Sequence, residues 1–214
     1  MRKLDIYTFD ELPEEYQDYL IDHADEFTKI ADEVETQTKE GAEAQFIIDT
    51  DIAIEKLTSY DIEVDETEID RIATRGNKRG WSDSDVIIEK IDWSRIFEPI
   101  ELELPEAQLS FDDLIYISFD SILDRRNELE CLISWYTAEG EEVVIDLPQV
   151  SDYFNKSDEK TITRIYEHCQ DFVDSIIKAI EDAVSYEIPE DDLRYFIQDM
   201  DLEYFIKDDK VQIL

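Results

Sequence analysis

The stretch from Phe9 to Lys39 combines an apolar stripe with an almost purely anionic face, and this pairing constrains the fold strongly. At about 100° per residue, its apolar residues fall within about 60° of Tyr16. They are Leu12, Tyr19, Leu20, His23, Phe27, Ile30, Ala31 and Val34. Carboxylates fill the opposite side, where Lys29 is the only cation between Glu11 and Glu35. The pattern predicts one amphipathic helix whose outer face is negative.

A continuous helix over residues 11–35 would be about 36 Å long and would carry a net negative charge about every 4 Å. One strand of a DNA duplex carries a phosphate about every 3.4 Å along its axis. The similar charge density indicates a surface that imitates a polynucleotide.

The whole chain repeats this imbalance, with 58 acidic against 20 basic residues and a formal net charge of -38. Solubility of a small domain needs a net charge of only about 2 to 8. Ten Phe, eleven Tyr and three Trp residues exclude an acidic disordered tail, because such segments lack aromatic side chains. Adaptation to high salt is an alternative source of acidity. The composition favours a folded acidic protein that uses its charge.

Helices are predicted at both ends of the chain. The first begins at a capping box formed by Thr8 and Glu11, Gly41 interrupts it, and residues 42–60 form a second helix of an N-terminal pair. In that second helix Phe46, Ile47, Ile54 and Leu57 are expected to pack on the first. Near the other end, Ser157 is expected to cap a long helix with apolar residues every three or four positions. Pro189 opens a short final helix.

Strands are predicted between these helices. Alternating patterns place them at 85–93, 100–105, 114–123, 128–138 and 141–147, with a hairpin around Gly140. The outer face of that sheet is expected to be acidic through Glu101, Glu103, Glu128 and Glu130. Residues 61–65 also alternate, although the segment after them could be one more helical turn. Two short strands turning at Asp208 and Asp209 end the chain.

These elements predict an α+β fold. It has an N-terminal helical pair, a central antiparallel sheet, a long C-terminal helix packed on the sheet and a short terminal hairpin. We expect residues 1–214 to form a single domain, in which residues 1–60 are the part best able to stand apart as a subdomain.

Catalytic signatures are few in the sequence. It contains no phosphate-binding glycine loop, no dinucleotide fingerprint, no zinc-protease motif and no nucleophile elbow. Cys131 and Cys169 fall on predicted apolar faces and are expected to be buried free thiols. His23 lies on the apolar stripe, and His168 lacks partners at zinc spacing. We therefore expect no enzyme, no catalytic residue, no cofactor and no metal.

A metal-dependent nuclease is the remote alternative. Asp158-Glu159-Lys160 and Asp208-Asp209-Lys210 match its carboxylate-and-lysine tripeptide, but a helix start and a turn are not the strand position that this geometry requires. A surface at -38 also repels nucleic acid and anionic membranes. The sequence has no apolar signal region after Met1 and no uninterrupted apolar run near the roughly 18 residues of a membrane span, so a cytoplasmic location is expected.

Proteins that grip nucleic acid use Lys and Arg aimed at phosphates, and fixed carboxylates can occupy such a groove. We therefore expect a basic nucleic-acid-binding protein as partner. The candidate contact residues lie on the first helix and on the long late one: Glu14, Asp18, Asp22, Asp25, Asp32, Glu167, Asp171, Asp174, Glu181 and Asp182. The competing interpretation is that these charges only solvate helices. The one basic cluster, Arg71, Arg75, Lys78 and Arg79, either neutralises nearby acids or anchors an acidic partner.

The opening Tyr7-Thr8-Phe9-Asp10-Glu11-Leu12-Pro13-Glu14-Glu15 resembles the Y-x-F-D-E-L-x-E-E start of small bacteriophage and prophage proteins, some of them labelled antitoxin-like. Their tails also run from a helix through a short acidic turn to a final strand, as residues 193–214 do. A glycine-rich S-Q-G-D-G segment of that group is missing here. The resemblance implies a phage-related accessory protein in a bacterial host cell. It suggests an inhibitor of host defence nucleases, of the anti-restriction or anti-CRISPR type, or alternatively an antitoxin that neutralises a basic toxin or host protein.

Overall fold

A computed structural model describes residues 5–69, 71, 93–104, 115–120 and 129–214. Its strands are β1 (Ile6–Tyr7), β2 (Ile100–Leu102), β3 (Ile115–Asp120), β4 (Glu130–Tyr136), β5 (Glu142–Asp146), β6 (Tyr204–Lys207) and β7 (Lys210–Ile213). Its α-helices include α1 (Glu14–Asp22), α2 (Thr28–Thr58), α3 (Val150–Tyr153), α4 (Lys156–Val184) and α5 (Glu190–Asp199). Short 3-10 helices occupy Phe9–Glu11, Ala24–Glu26, Trp93–Arg95 and Leu147–Gln149. The predicted α+β fold is confirmed.

The chain divides into two compact units. Residues 1–42 and 185–214 form the first, and residues 43–184 form the second. The single domain expected from the sequence stays a prediction. Residues 85–92 of the strand predicted at 85–93 lie outside the described residues, and its last residue, Trp93, begins a 3-10 helix. The basic residues Arg75, Lys78 and Arg79 and the acidic Glu128 also lie outside them.

The first unit is built on a three-stranded antiparallel sheet in the order β1-β6-β7. Its buried cluster joins residues from both ends of the chain: Phe9, Leu12, Leu20, Ile21, Ala24, Ile30, Ile197, Tyr204 and Val211. The ring of Phe9 meets the ring of Tyr204 edge to face at a centroid distance of 6.4 Å. The turn between β6 and β7 places Asp208 and Asp209 at φ 53° and 58°, so the predicted terminal hairpin is confirmed.

The predicted first helix is broken, and its extent over residues 9–39 was wrong. Helix α1 ends at Asp22, a 3-10 turn covers Ala24–Glu26, and Phe27 is extended before α2 begins. Ile21 and Ala24 lie outside the predicted stripe, yet both are buried. The break brings these two side chains into the core beside Leu20 and Ile30, which one straight helix would not do.

The predicted interruption at Gly41 was also wrong, because α2 continues through that position. A Cβ at Gly41 would lie 2.6 Å from the Cζ and Oη atoms of Tyr186. Glycine does not end the helix here, and a Cβ at this position would require the outer atoms of the Tyr186 ring to shift. The helical pair itself is confirmed as α1 and α2, with its boundary at residues 23–27.

The second unit contains a four-stranded antiparallel sheet in the order β2-β3-β4-β5. Ile117 pairs with Ile133, which pairs with Ile145, and all three are buried on one face. On the other face Glu101 and Glu130 are exposed, as expected, and Glu103 just after β2 is exposed as well. The hairpin between β4 and β5 turns at Gly140, whose φ is 81°. Residues 61–65 contribute only an isolated bridge between Val64 and Phe97, and the alternative helical turn follows at 66–69.

Helix α4 packs on this sheet. The ring of Phe172 meets that of Phe97 at 5.4 Å, and the hydroxyl of Tyr166 donates to the carbonyl of Leu129 at 2.9 Å. The helix begins one residue before the predicted cap, so the assignment of Ser157 was wrong. Asn155 fills that role, because its Oδ1 accepts from the backbone N–H of Ser157 at 2.8 Å and of Asp158 at 3.2 Å. Asparagine is as effective a cap as serine.

Replacing Gly41 by Ala tests the contact with Tyr186. In an exposed helix interior this change stabilises by about 0.5 to 1 kcal/mol. We expect that gain in a Tyr186→Ala background and its loss in the native background, where the new methyl group meets the ring. Urea unfolding of the two single variants and the double variant measures the coupling. Equal effects of Gly41→Ala in both backgrounds would contradict the close approach.

Candidate functional site

Helix α4 carries five of the predicted contact residues on its solvent side. Glu167, Asp171, Asp174, Glu181 and Asp182 are all exposed, and helical geometry places them within about 100° of the circumference. Lys178 is exposed within the same arc. We call these five carboxylates the α4 acidic row. The row is about 22 Å long and, with Lys178, carries a net charge about every 6 Å.

The opposite side of α4 fixes the direction of the row. Cys169, Phe172, Val173, Ile176 and Ile180 recur at spacings of three and four, and all are buried. A helix can bury only one such stripe against a sheet, so the residues between its members point to solvent.

Lys56 neutralises Asp171 of the α4 acidic row only weakly. Nζ of Lys56 lies 3.9 Å from Oδ2 of Asp171, and both side chains are more than half exposed, at 58% and 60%. Such a surface pair contributes about 0 to 1 kcal/mol to the free energy of unfolding. Gln170 donates an amide hydrogen bond to Oδ1 of Asp174 at 3.0 Å, which holds that carboxylate in place without changing its charge.

The other five candidates lie in the first unit, and all are exposed. Glu14, Asp18 and Asp22 share one face of α1 at i, i+4 and i+8. Asp25 lies on the following 3-10 turn and Asp32 on α2. Because the predicted single helix is broken between them, these acids do not form one continuous line of about 36 Å.

Arg194 of helix α5 contacts one of the candidate acids, and the sequence analysis did not predict this contact. Its Nη2 donates to Oδ1 of Asp18 at 2.8 Å, and its Nη1 donates to Oε1 of Gln17 at 3.2 Å. The hydrogen bond that the guanidinium donates to Asp18 raises the pKa of Arg194 above its ordinary value. Residues 18 and 194 are 176 positions apart, so no local pattern could have revealed the pair.

The histidines and cysteines take structural places. The His23 ring stacks on Tyr19 at 4.2 Å, and the His168 ring stacks on Tyr60 at 3.5 Å. Cys131 and Cys169 are buried and free, as predicted. Burial raises the pKa of Cys131 to about 12, and burial together with the nearby Cys131 raises the pKa of Cys169. These thiols are held in the neutral, unreactive form.

A small cavity and an ion pair are further polar features of the described residues. A cavity of about 10 Å³ beside Tyr60 and His168 has space for about one water molecule. Within the described ranges, no group of three or more His, Cys, Asp and Glu residues could hold a metal ion. Arg71 lies 2.6 Å from the carboxylate of Glu68, a residue only 8% exposed, so this member of the basic cluster balances a buried acid.

No protein-family model, curated protein or solved structure matches this chain. In the part of the chain that the structure describes, no helix is both long enough and apolar enough to cross a membrane.

The exposed carboxylates predict a dependence of stability on salt. Like charges separated by less than about 8 Å repel until ions screen them. We expect the melting temperature to rise as NaCl increases from about 10 to 500 mM, because screening relieves self-repulsion. Differential scanning calorimetry measures it. A flat response would show that the anions are already balanced locally.

The buried thiols predict a loss of stability at alkaline pH. The pKa of Cys131 rises from an ordinary 9.0 to about 12 in the folded protein, so the folded state retains a proton that the unfolded state releases. Its contribution is complete below pH 9.0 and is lost as pH rises through about 12. The free energy of unfolding should fall less steeply above pH 9.0 in Cys131→Ala than in the native protein. Identical slopes in urea titrations would contradict this cause.

Proposed function

We propose that this protein is a non-enzymatic inhibitor that occupies the nucleic-acid groove of a basic protein in the bacterial cytoplasm. Its target would be a host defence nuclease, as for anti-restriction and anti-CRISPR proteins. The observation that carries this proposal is the α4 acidic row, in which one unbroken helix presents five exposed carboxylates on a single side.

The charge density of this row supports imitation of DNA. Over about 22 Å a single DNA strand presents six or seven phosphates, whereas the row presents five carboxylates and one ammonium. A groove lined with Lys and Arg attracts the phosphates of the DNA strand and the carboxylates of the row. Such a groove would release its counterions on binding the protein, so association would be fast and would weaken steeply with salt.

Rigid support also favours binding. Tyr166 and Gln170 join α4 to Leu129, next to β4, by hydrogen bonds, and Phe172 packs on the ring of Phe97. Carboxylates on such a supported helix need little ordering when a partner binds, so less binding free energy is lost to entropy. The acids of α1 and the adjoining turn provide a second anionic face in the first unit, where Arg194 reduces the charge at Asp18.

An antitoxin that neutralises a basic toxin is the second candidate. The exposed isoleucines Ile48 and Ile52, with 54% and 60% of their surfaces accessible, favour it. Phosphates offer nothing apolar to imitate, whereas direct contact with a protein uses such side chains. Capture of a toxin that does not bind nucleic acid would distinguish this function from displacement of DNA.

Neutralising the α4 acidic row tests the proposal. The variant combines Glu167→Gln, Asp171→Asn, Asp174→Asn, Glu181→Gln and Asp182→Asn. The assay measures displacement of a labelled DNA duplex from purified restriction and CRISPR effector nucleases. We expect the native protein to displace the DNA. The affinity of the variant for the nuclease should be at least about tenfold lower, because even exposed charge pairs contribute about 0.2 to 1 kcal/mol each to the free energy of binding.

A matched control removes the same number of charges elsewhere in the second unit. It combines Glu139→Gln, Glu141→Gln, Glu142→Gln, Asp146→Asn and Asp152→Asn, all at exposed positions. This control should displace DNA nearly as well as the native protein. Equal activity of the row variant and the native protein would exclude the α4 acidic row as the contact. Displacement from none of these nucleases would refute the proposed target class.

A further inference from the structure

The middle of helix α2 exposes apolar side chains. Ala44, Ile48 and Ile52 follow one another at i, i+4 and i+8, and the two isoleucines are 54% and 60% exposed. We call these three residues the α2 apolar ridge. They lie on the side of the helix opposite its buried residues Phe46, Thr50 and Leu57.

Helix stability does not explain isoleucine at these positions. The branched Cβ of isoleucine restricts its rotamers in a helix, and Glu, Lys or Ala at an exposed site would favour the helix more. Single exposed apolar residues are common on proteins, whereas neighbouring exposed apolar residues rimmed by polar ones are typical of interaction sites. Ile47, 47% exposed, widens the apolar area.

Carboxylates lie on both sides of the ridge, and the exposed Lys56, whose Nζ lies 3.9 Å from Oδ2 of Asp171, follows Ile52 at i+4. Asp51 and Glu55, both exposed, run parallel to it at i and i+4. On the other side lies Asp49, whose Oδ1 accepts a hydrogen bond from Gln45 at 2.9 Å. A second copy of this chain would bring these carboxylates against one another at a net charge of -38 on each copy. Charge complementarity instead selects an apolar stripe flanked by Lys or Arg.

We infer that the α2 apolar ridge docks a basic amphipathic helix of the partner protein, whose apolar stripe packs on Ile48 and Ile52 while its cations meet Asp51 and Glu55. Rows at i and i+4 form the ridges that interdigitate when two helices pack. The inference rests on the proposed function only in requiring a basic partner. The docking contact adds an apolar anchor to a surface that the proposed function describes only by its charge.

Two designed peptides of about 18 residues test the inference, a length that gives about five helical turns. Both carry the same lysines, but one has Leu along a single helical face and the other has Ser there. Fluorescence anisotropy at about 0.3 M NaCl suppresses the general attraction of cations to this protein. We expect the Leu peptide to bind at least about tenfold more tightly than the Ser peptide, because it buries apolar surface on the ridge.

Substitution on the protein locates the contact. Ile48→Ser combined with Ile52→Ser should weaken binding of the Leu peptide by about tenfold or more and leave the Ser peptide unchanged. The melting temperature should shift by no more than about 2 °C, since both side chains are exposed. Val144→Ser with Tyr195→Ser is the matched control, at side chains 51% and 63% exposed, and should bind as the native protein does.

Several results would overturn the inference. These are equal binding of the two peptides, or full binding of the Leu peptide by the Ile48→Ser and Ile52→Ser variant. A native dimer that this double substitution dissociates in light scattering would assign the ridge to a second copy instead. The DNA-displacement assay separates the two proposals, because equal peptide binding with normal displacement refutes only the ridge. Failure of displacement with a preserved Leu preference refutes only the nuclease target.

Discussion

Burial of one side of helix α4 against the four-stranded sheet determines the orientation of everything else on that helix. Phe172 meets Phe97, Cys169 lies near Cys131, and Tyr166 reaches the carbonyl of Leu129. Each fully buried apolar side chain contributes about 1.5 to 3 kcal/mol. A repulsive pair of like charges on a helix costs only about 0.2 to 0.5 kcal/mol. The core can therefore hold the carboxylates in an arrangement that electrostatics alone would disperse.

The sequence predicted those features that depend on a local repeat. The α4 stripe repeats at three and four over most of its length, and the terminal hairpin is marked by adjacent aspartates that tolerate positive φ. Both elements are present as expected. The ten candidate carboxylates are exposed for the same reason, since charged groups between buried apolar positions face water.

Errors arose where distant residues override a local pattern. Gly41 resembles a helix end in the sequence, but it lies against Tyr186, which no residue near it in the sequence could reveal. The break after Asp22 follows from burial of Ile21 and Ala24 in a core completed by Ile197 and Tyr204. The contact of Arg194 with Asp18 likewise joins residues 176 positions apart, which a local pattern does not show. The α2 apolar ridge was missed because the sequence around an isoleucine does not show whether distant residues cover it.

The pairing of β1 with β6 joins two ends of the chain in one small sheet. Residues 1–42 are synthesised about 140 residues before their partners at 185–214. Until the later segment emerges from the ribosome, the apolar side chains of Leu20, Ile21 and Ile30 have only part of their eventual core to bury them. The first unit is therefore held together by contacts of long sequence separation, which form slowly in folding. Deletion of β7 would leave α1 with an incomplete core, in a form that chaperones and proteases recognise.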